Sequence, residues 1–275
     1  MPQTPHIVFI GAGNMAQAIL KGMLAAGYPP NKISASGRTQ SKLDILAAET
    51  GIRTSTDNLA LCDGADVIVL GVKPQMMGDL VRSIAPAVDA SKQLIVSVAA
   101  GILVSSIETW LGQKVPIVRC MPNTPSLVGQ GAAGLFATDE VSTEQKQTAS
   151  TMMESVGLSI WVDTEAKIDA VTAVSGSGPA YYFLMMEAMV AGAEELGLSN
   201  EIAQQLVLQT AVGAALMAQQ SDQTPTQLRA GITSPKGTTE QAIKTFNEGD
   251  FTALCSKAMA AANHRAEELA QLFKD

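Results

Sequence analysis

The chain has few of the residues that most often carry acid–base, metal or disulfide chemistry. It contains only two histidines, His6 and His264, and three cysteines, Cys62, Cys120 and Cys255. Because the cysteines are odd in number and far apart, they indicate free thiols and not a disulfide framework or a zinc site. No group of His, Cys, Asp or Glu has the spacing of metal ligands, so we expect no metal.

Charge and long apolar runs are also scarce. Charged residues make up 16% of the chain and the formal net charge is −8, which argues against sequence-independent binding to nucleic acid. No apolar run approaches the roughly 18 residues of a membrane span, and residues 1–6 lack a signal-peptide pattern. The 47% of hydrophobic residues excludes a disordered chain. We therefore expect a cytoplasmic protein with two folded domains that binds neither nucleic acid nor membrane.

What the chain does have is a glycine-rich turn between a strand and a helix near its amino terminus. Ile7–Ile10 is a continuous apolar run, typical of a buried parallel strand, and residues 14–26 have helical spacing. The turn between them, at residues 11–16, has the pattern G-x-G-x-x-A. Gly11 permits the tight turn, Gly13 lets the backbone approach a pyrophosphate, and the helix N-terminus faces the phosphates. The pattern predicts dinucleotide binding.

The second predicted strand, at residues 32–39, indicates which dinucleotide. An NAD site usually has a carboxylate about 20 residues beyond the glycines, but no Asp or Glu occurs between Gly11 and Asp44. Ser36, Arg38 and Thr39 lie there instead, and a guanidinium with neighbouring hydroxyls suits a 2′-phosphate. We expect NADPH, with NADH possible. The alternative is that Arg38 is an ordinary solvated cation.

Strand and helix patterns alternate through residues 1–163 and only helical patterns follow. Further strands are predicted at 66–72, 93–99, 115–121, 132–137 and 158–162, and helices at 40–50, 76–85, 104–111 and 143–155. Such alternation implies βαβ units and a parallel sheet. We therefore predict an α/β domain over residues 1–163 and an all-α domain over residues 164–275.

Three predicted strands end in short segments of small or rigid residues, at 71–75, 97–101 and 119–125. Ligands of an open parallel sheet bind beyond the carboxyl ends of its strands. Ala99 and Ala100 would allow a flat cofactor ring close to the backbone, and the loop at 122–125 could form the floor of a nicotinamide pocket. Each segment also has a plain interpretation as a strand end.

Neither histidine lies where an acid–base catalyst is expected. His6 precedes the first strand, at the end opposite the expected crevice, and His264 lies on the last predicted helix. The His–Asp relay of alcohol and 2-hydroxy-acid dehydrogenases therefore has no histidine to supply it. This indicates a reaction in which the protein positions a hydride donor and acceptor without a strong base of its own.

The helical half contains two turns rich in glycine and hydroxyl residues. Residues 175–181 place a flexible turn before Pro179, a good first residue for a helix. Residues 232–240 place a second turn before a helix expected at Thr238–Glu248. Free N–H groups at residues 237–239 would form an anion site suited to a carboxylate. Ordinary capping by Ser or Thr is the alternative.

Taken together, the motifs resemble those of pyrroline-5-carboxylate reductases. The segments GAGNMA (11–16), VKP (72–74), MPNTP (121–125), SGSGPAY (175–181) and TSPKGTTEQAI (233–243) occur in that family's order and cover essentially the whole chain. The resemblance implies reduction of 1-pyrroline-5-carboxylate to L-proline by NADPH or NADH, the last step of proline biosynthesis. It also implies a Rossmann domain followed by a helical domain that interlocks in a homodimer, and family dimers commonly assemble into decamers.

The resemblance also assigns roles to individual residues of this chain. Thr239 would lie near the ring nitrogen as the catalytic group, and the substrate carboxylate would be held by Ser234, Gly237 and Thr238. The implied cofactor-binding residues are Gly11, Gly13, Asn14 and Met15 for the pyrophosphate, Ser36 and Arg38 for the 2′-phosphate, Asn58 for the adenosine, and Val72, Lys73, Pro74, Ala99 and Ala100 for the nicotinamide ribose and ring. Many members carry Gly where this chain has Lys236, which could alter loop flexibility or charge.

Two other functions fit parts of the pattern. The 3-hydroxyacid dehydrogenases have a similar plan but use a catalytic Lys on the first long helix after the domain boundary, and residues 179–196 contain no Lys. A non-catalytic NADPH-binding sensor or carrier is the alternative from a different class. Intact Gly11, Gly13, Ser234 and Thr239 argue against such a degenerated site.

Overall fold

The computed structural model describes residues 4–273, which form two compact units. The first unit contains residues 4–177 and 261–273, and the second contains residues 178–260. Residues 1–3 and 274–275, which include the start of the amino-terminal segment considered above, lie outside the described residues.

The first unit is built on one eight-stranded sheet. Its strands are β1 (Ile7–Ile10), β2 (Ile33–Ser36), β3 (Arg53–Ser55), β4 (Val67–Leu70), β5 (Leu94–Ser97), β6 (Ile117–Met121), β7 (Gly131–Ala137) and β8 (Gly157–Trp161). They lie in the order β3-β2-β1-β4-β5-β6-β7-β8. The first six positions in this order are those of a doubly wound dinucleotide-binding sheet, in which the switch point lies between β1 and β4.

Helices cover both faces of this sheet, so that β1, β4 and β5 are buried at every residue. The helices are α1 (Asn14–Ala25), α2 (Gln40–Thr50), α3 (Asn58–Cys62), α4 (Met77–Ile84), α5 (Val104–Leu111), α6 (Thr143–Glu154) and α7 (Lys167–Val171), with 3₁₀ turns at Pro30–Lys32, Pro74–Met76, Ala85–Ala87 and Thr124–Val128. The α/β fold class predicted from the sequence is confirmed.

One strand departs from a wholly parallel sheet. Strand β7 pairs antiparallel with β6, with Phe136 opposite Arg119, and β8 then pairs parallel with β7. A parallel connection needs a crossover of about a dozen residues or more, and the segment at residues 122–130 is too short for one. Strand β3 and helix α3 were not predicted from the sequence, because each is too short to show a recognisable hydrophobic periodicity.

Every described element of the second unit is helical. Its helices are α8 (Gly178–Glu195), α9 (Asn200–Gln220), α10 (Pro225–Gly231), α11 (Thr238–Glu248) and the first part of α12 (Phe251–Leu272). The flexible turn predicted directly before Pro179 is instead largely helical, with a π-helical turn at Thr172–Gly176. Helix α8 begins two residues later, with Pro179 as its second residue. Within residues 4–273, no helix combines the length and the apolar character needed to cross a membrane.

The compact units divide at residues 177 and 178, whereas the sequence predicted a division at 163 and 164. Helix α7 lies against the sheet: a Cβ added to Gly134 on β7 would lie 2.6 Å from Val171 Cγ2. The end of α12 also belongs to the first unit, with Ala266 and Ala270 buried. The division into a functional domain before residue 164 and another after it remains a prediction.

Candidate active site

A cleft of about 620 Å³ lies at the carboxyl end of β1. Because β1, β2 and β4 are neighbouring parallel strands, the loops that follow them meet at this edge of the sheet. The cleft is lined by seven of the predicted cofactor residues, which are Gly11, Gly13, Ser36, Arg38, Asn58, Val72 and Lys73. The structure therefore brings together residues that are far apart in sequence.

The glycine turn has the geometry that close approach of a ligand requires. Gly11 has φ +98°, and a Cβ there would lie 2.6 Å from Val72 Cγ1. Gly13 is the N-cap of α1, without a side-chain cap, and the first turn of α1 has no acidic residue. Within the described part of the chain, the N–H groups of Asn14 and Met15 have no hydrogen-bond acceptor. These donors can receive a phosphate.

Ser36 has a different contact from the one predicted. Its hydroxyl accepts a hydrogen bond from the Gly11 N–H at 3.2 Å, and its side chain is only 1% exposed. The Ser36 carbonyl also accepts from the Ala12 N–H at 2.7 Å. As the last residue of β2, Ser36 holds the glycine turn against the sheet. Its hydroxyl keeps an O–H group that can donate, and its contact with the 2′-phosphate remains a prediction.

The exposed cations at this end of the cleft are Arg38 and Lys42, of which the sequence analysis missed Lys42. Both line the cleft, and among residues 4–273 neither forms a salt bridge. Lys42 lies in the first turn of α2, where a cation opposes the helix dipole. That unfavourable position is the sequence signal that could have identified it. Thr39, the second hydroxyl residue expected beside Arg38, also lines the cleft. Thr56 and Gln75 are further lining residues without a predicted role.

The residues predicted for the nicotinamide end are only partly brought together. Val72 and Lys73 line the cleft, whereas Pro74, Ala99 and Ala100 do not. Pro74 begins the 3₁₀ turn after β4, and the two alanines lie in the loop after β5, at the same edge of the sheet. Asn14 and Met15 adjoin Gly13 without lining the cleft.

The predicted carboxylate loop lies at the start of α11 in the second unit. Gly237 is the N-cap, with φ −82° and ψ 170°, and no side chain caps the helix. The alternative of ordinary capping by Ser or Thr is therefore not what the structure has. Thr239 is the second helical residue, is half-buried, and makes no hydrogen bond through its hydroxyl within the described residues.

One of the three N–H groups predicted to be free at this loop is engaged. The Gly237 N–H donates to the Ser234 carbonyl at 3.0 Å and closes a turn, which corrects its predicted role as a donor to the substrate. In residues 4–273 the N–H groups of Thr238 and Thr239 have no acceptor. A Cβ at Gly237 would lie 2.6 Å from Ser234 Oγ, so the serine hydroxyl lies beside the N-cap residue of α11.

Lys236 occupies a backbone conformation that favours glycine. Its φ is +61°, and its N–H donates to Glu240 Oε2 at 2.8 Å.

We predict that Lys236→Gly changes the free energy of unfolding by less than about 1 kcal/mol, because relief of left-handed strain offsets the greater freedom of glycine in the unfolded chain. Lys236→Val should cost about 1 kcal/mol more, since a β-branched residue tolerates this φ poorly. Denaturant unfolding of both variants tests this, and a larger loss for the glycine variant would contradict it.

The two histidines and the two buried cysteines do not line the cleft, whereas one carboxylate residue, Asp79, does. His6 Nε2 and Ser34 Oγ are 2.9 Å apart before β1, and His264 is 73% exposed beside Glu267 and Glu268. Burial raises the pKa of the Cys62 thiol to about 12 and also raises the pKa of Cys120. Among the residues that the structure describes, no three His, Cys, Asp or Glu side chains are grouped to hold a metal ion.

A doubly wound sheet with a glycine turn at its switch point, followed by an all-helical part, defines the class of Rossmann-type oxidoreductases with a helical carboxyl-terminal domain. Residues 6–101 match the family described as NADP oxidoreductase coenzyme F420-dependent, and residues 165–269 match the family described as pyrroline-5-carboxylate reductase dimerisation. A pyrroline-5-carboxylate reductase of Pseudomonas aeruginosa is 51% identical over 98% of both chains. This chain belongs to the pyrroline-5-carboxylate reductase family, as its motifs predicted.

Two solved structures show the same fold over nearly the whole chain. A pyrroline-5-carboxylate reductase from Coxiella burnetii is 47% identical, with a TM-score of 0.94 over 98% of this chain and 99% of that one. A pyrroline carboxylate reductase from Plasmodium falciparum with NADP bound is 29% identical, with a TM-score of 0.84 over 97% of this chain and 98% of that one.

Proposed function

We propose that this chain reduces 1-pyrroline-5-carboxylate to L-proline with NADPH, the last step of proline biosynthesis. The observation that carries the proposal is the 51% identity to a pyrroline-5-carboxylate reductase over 98% of both chains. The cleft supports it, because the glycine turn, Asn58 and the cations after β2 line one continuous site. NADH remains the possible second cofactor.

The residues of the first unit fit a dinucleotide phosphate. The backbone at Gly11 and Gly13 leaves room for the pyrophosphate, and the N–H groups at the start of α1 would donate to it. Arg38 and Lys42 would bind the 2′-phosphate, as bidentate donor and point charge respectively. NADPH, when bound, supplies hydride to the carbon of the substrate C=N bond.

The loop before α11 fits the proposed substrate, which is a small cyclic imine with a carboxylate group. The N–H groups of Thr238 and Thr239 and the hydroxyl of Ser234 would hold the carboxylate at the positive end of the helix dipole. The Thr239 hydroxyl would orient the ring nitrogen and relay its proton. A protonated imine is already electrophilic, so this arrangement needs no histidine base.

An assay of NADPH oxidation with pyrroline-5-carboxylate tests the proposed function. We expect NADPH oxidation that depends on this substrate, with L-proline formed in equal amount. A 3-hydroxyacid with NADP⁺ serves as the competing substrate and should give no turnover. NADPH binding without turnover of pyrroline-5-carboxylate would contradict the proposal and favour the sensor or carrier alternative.

We also propose a homodimer formed through the helical part of the chain, which carries the family's dimerisation region. Large apolar side chains of α8 and α9 are exposed in the single chain, among them Tyr182, Phe183, Leu184, Leu206, Leu208, Val212 and Leu216. A helix with apolar side chains on most faces must be covered, so we expect an obligate dimer at micromolar concentration. Further assembly into decamers is part of the proposal.

Sedimentation and light scattering, which measure the mass of the protein in solution, test this prediction. Phe183→Glu should shift the dimer to monomer and remove activity, because a carboxylate would be buried without a partner. Gln147→Glu, on the exposed side of α6, introduces the same charge and should leave the mass unchanged. A stable and active wild-type monomer would overturn the dimer proposal.

The proposed compartment is the cytoplasm. Cys62, Cys120 and Cys255 are free thiols in the structure, and free thiols are most common in reducing compartments.

A further inference from the structure

One carboxylate of the first unit connects three segments that are distant in sequence. Glu165 Oε1 accepts from Arg119 Nη1 at 2.7 Å and from the Val104 N–H at 2.8 Å. Arg119 lies on β6 and its side chain is 2% exposed, whereas that of Glu165 is 27% exposed. Val104 is the first residue of α5, whose N-cap, Leu103, provides no side-chain cap. Glu165 therefore supplies the capping acceptor that the α5 N-terminus lacks locally.

The segment held by this contact is the loop at residues 98–103, between β5 and α5. Its first end is fixed by β5, where Ser97 pairs with Arg119 of β6. Its middle packs on the end of α12, because a Cβ at Gly101 (φ +71°) would lie 3.2 Å from Leu269 Cβ. Its last end is fixed at Val104 by Glu165. Ala99 and Ala100, the residues predicted to face the nicotinamide, lie between the first two of these points, Ser97 and Gly101.

We propose that Glu165 is a positioning residue, which fixes the position of the Ala99–Ala100 backbone where it would face the nicotinamide ring. The inference rests on the proposed function, because it takes the loop after β5 as the nicotinamide surface. Glu165 does not line the cleft. It acts through the Val104 N–H, and Arg119 holds its carboxylate in place.

The charges around Arg119 explain why a carboxylate is needed at residue 165. Asp169 on α7 interacts electrostatically with this guanidinium, and Glu267 on α12 interacts with Asp169. Burial raises the pKa of Asp169, although Arg119 opposes that shift. Because its charge is thus disfavoured, Asp169 is a poor substitute as the counter-ion of Arg119. Glu165 alone of these carboxylates bonds both the guanidinium and the α5 N-terminus.

The first test compares Glu165→Gln with Asp163→Asn. Asp163, two residues before Glu165, forms an exposed ion pair with Lys167 and serves as the matched control. Glutamine still has an acceptor oxygen but lacks the charge by which Arg119 holds residue 165, so that oxygen is no longer fixed against the Val104 N–H. We therefore expect Glu165→Gln to lower kcat about tenfold, since small misplacement of a reacting group has effects of this size. The Kd of NADPH should rise about threefold, whereas the Kd of 2′-phospho-ADP-ribose, which lacks the nicotinamide, should stay within about twofold of wild type. Asp163→Asn should leave all three constants unchanged.

The second test separates the loop contact from the ion pair. Val104→Pro removes the N–H that Glu165 accepts but keeps the Arg119–Glu165 pair, and proline is tolerated at the first position of a helix. The extended Leu103 (φ −78°, ψ 153°) is compatible with a following proline. Val104→Ala keeps the N–H and measures the effect of lost side-chain volume alone. We expect Val104→Pro to reproduce the kcat loss of Glu165→Gln beyond any loss in Val104→Ala.

Three results would overturn the inference. The first is wild-type kcat in Glu165→Gln. The second is a wild-type kcat in Val104→Pro when Glu165→Gln has lost activity, since the effect would then run through Arg119. The third is an equal loss of affinity for NADPH and 2′-phospho-ADP-ribose, which would indicate a general structural defect. The two binding constants do not depend on turnover, so a failure of the proposed reaction in the wild-type protein is distinguished from a failure of this inference.

Discussion

Thr239→Val is expected to lower kcat/KM for pyrroline-5-carboxylate about thirty- to a hundredfold, which corresponds to about 2–3 kcal/mol of transition-state stabilisation. Valine keeps the shape and β-branching of threonine but lacks the hydroxyl that would orient the ring nitrogen. Thr239 is the second residue of α11, and the N-cap is Gly237. The change therefore removes no helix cap, and the melting temperature should be nearly unaltered. NADPH affinity should change little, because the proposed cofactor residues belong to the first unit.

Melting temperature, NADPH affinity and turnover are measured on the same variant. The matched control is Thr245→Val on the same helix, where the hydroxyl donates to the Gln241 carbonyl at 3.1 Å and the side chain is exposed. This control loses the same group without approaching the loop, so its turnover should stay normal. If Thr239→Val loses about 1 kcal/mol of stability and keeps near-normal turnover, the hydroxyl has a structural role and the catalytic assignment fails.

The second large effect is expected for Arg38→Ala. The affinity for NADPH should fall about ten- to a hundredfold, which is about 1.5–3 kcal/mol for a lost charge-assisted hydrogen-bond pair. The affinity for NADH should change far less, because NADH has no 2′-phosphate. Lys42 lines the same end of the cleft, so Lys42→Ala should weaken NADPH in the same direction by a smaller factor. A point charge lacks the bidentate geometry of a guanidinium.

The control for this prediction is Arg53→Ala. Arg53 is an exposed cation on β3 and does not line the cleft, so its removal should alter neither cofactor's affinity. Calorimetric titration of each variant with NADPH and NADH measures the discrimination directly. Equal losses for the two cofactors in Arg38→Ala would show that the residue does not bind the 2′-phosphate.

The sequence by itself determined the elements whose signals are local. Helices α2 and α5 have their predicted bounds, because helical spacing and the glycines that follow them at residues 51 and 112 mark their ends. The glycine turn could be identified because its function depends on three small residues at fixed spacing between a strand and a helix. The family could be identified for the same reason, since its motifs are short contiguous segments.

Only the tertiary structure decided which groups at the site are available. The Ser36 hydroxyl accepts a hydrogen bond from the Gly11 N–H, and the Gly237 N–H donates to the Ser234 carbonyl. Both bonds depend on how a turn closes, which residue types do not reveal. The antiparallel direction of β7 and the junction of Glu165 with Arg119 and Val104 likewise join segments distant in sequence. Local patterns fix the elements, whereas pairing between distant segments fixes which donors, acceptors and charges remain for a ligand.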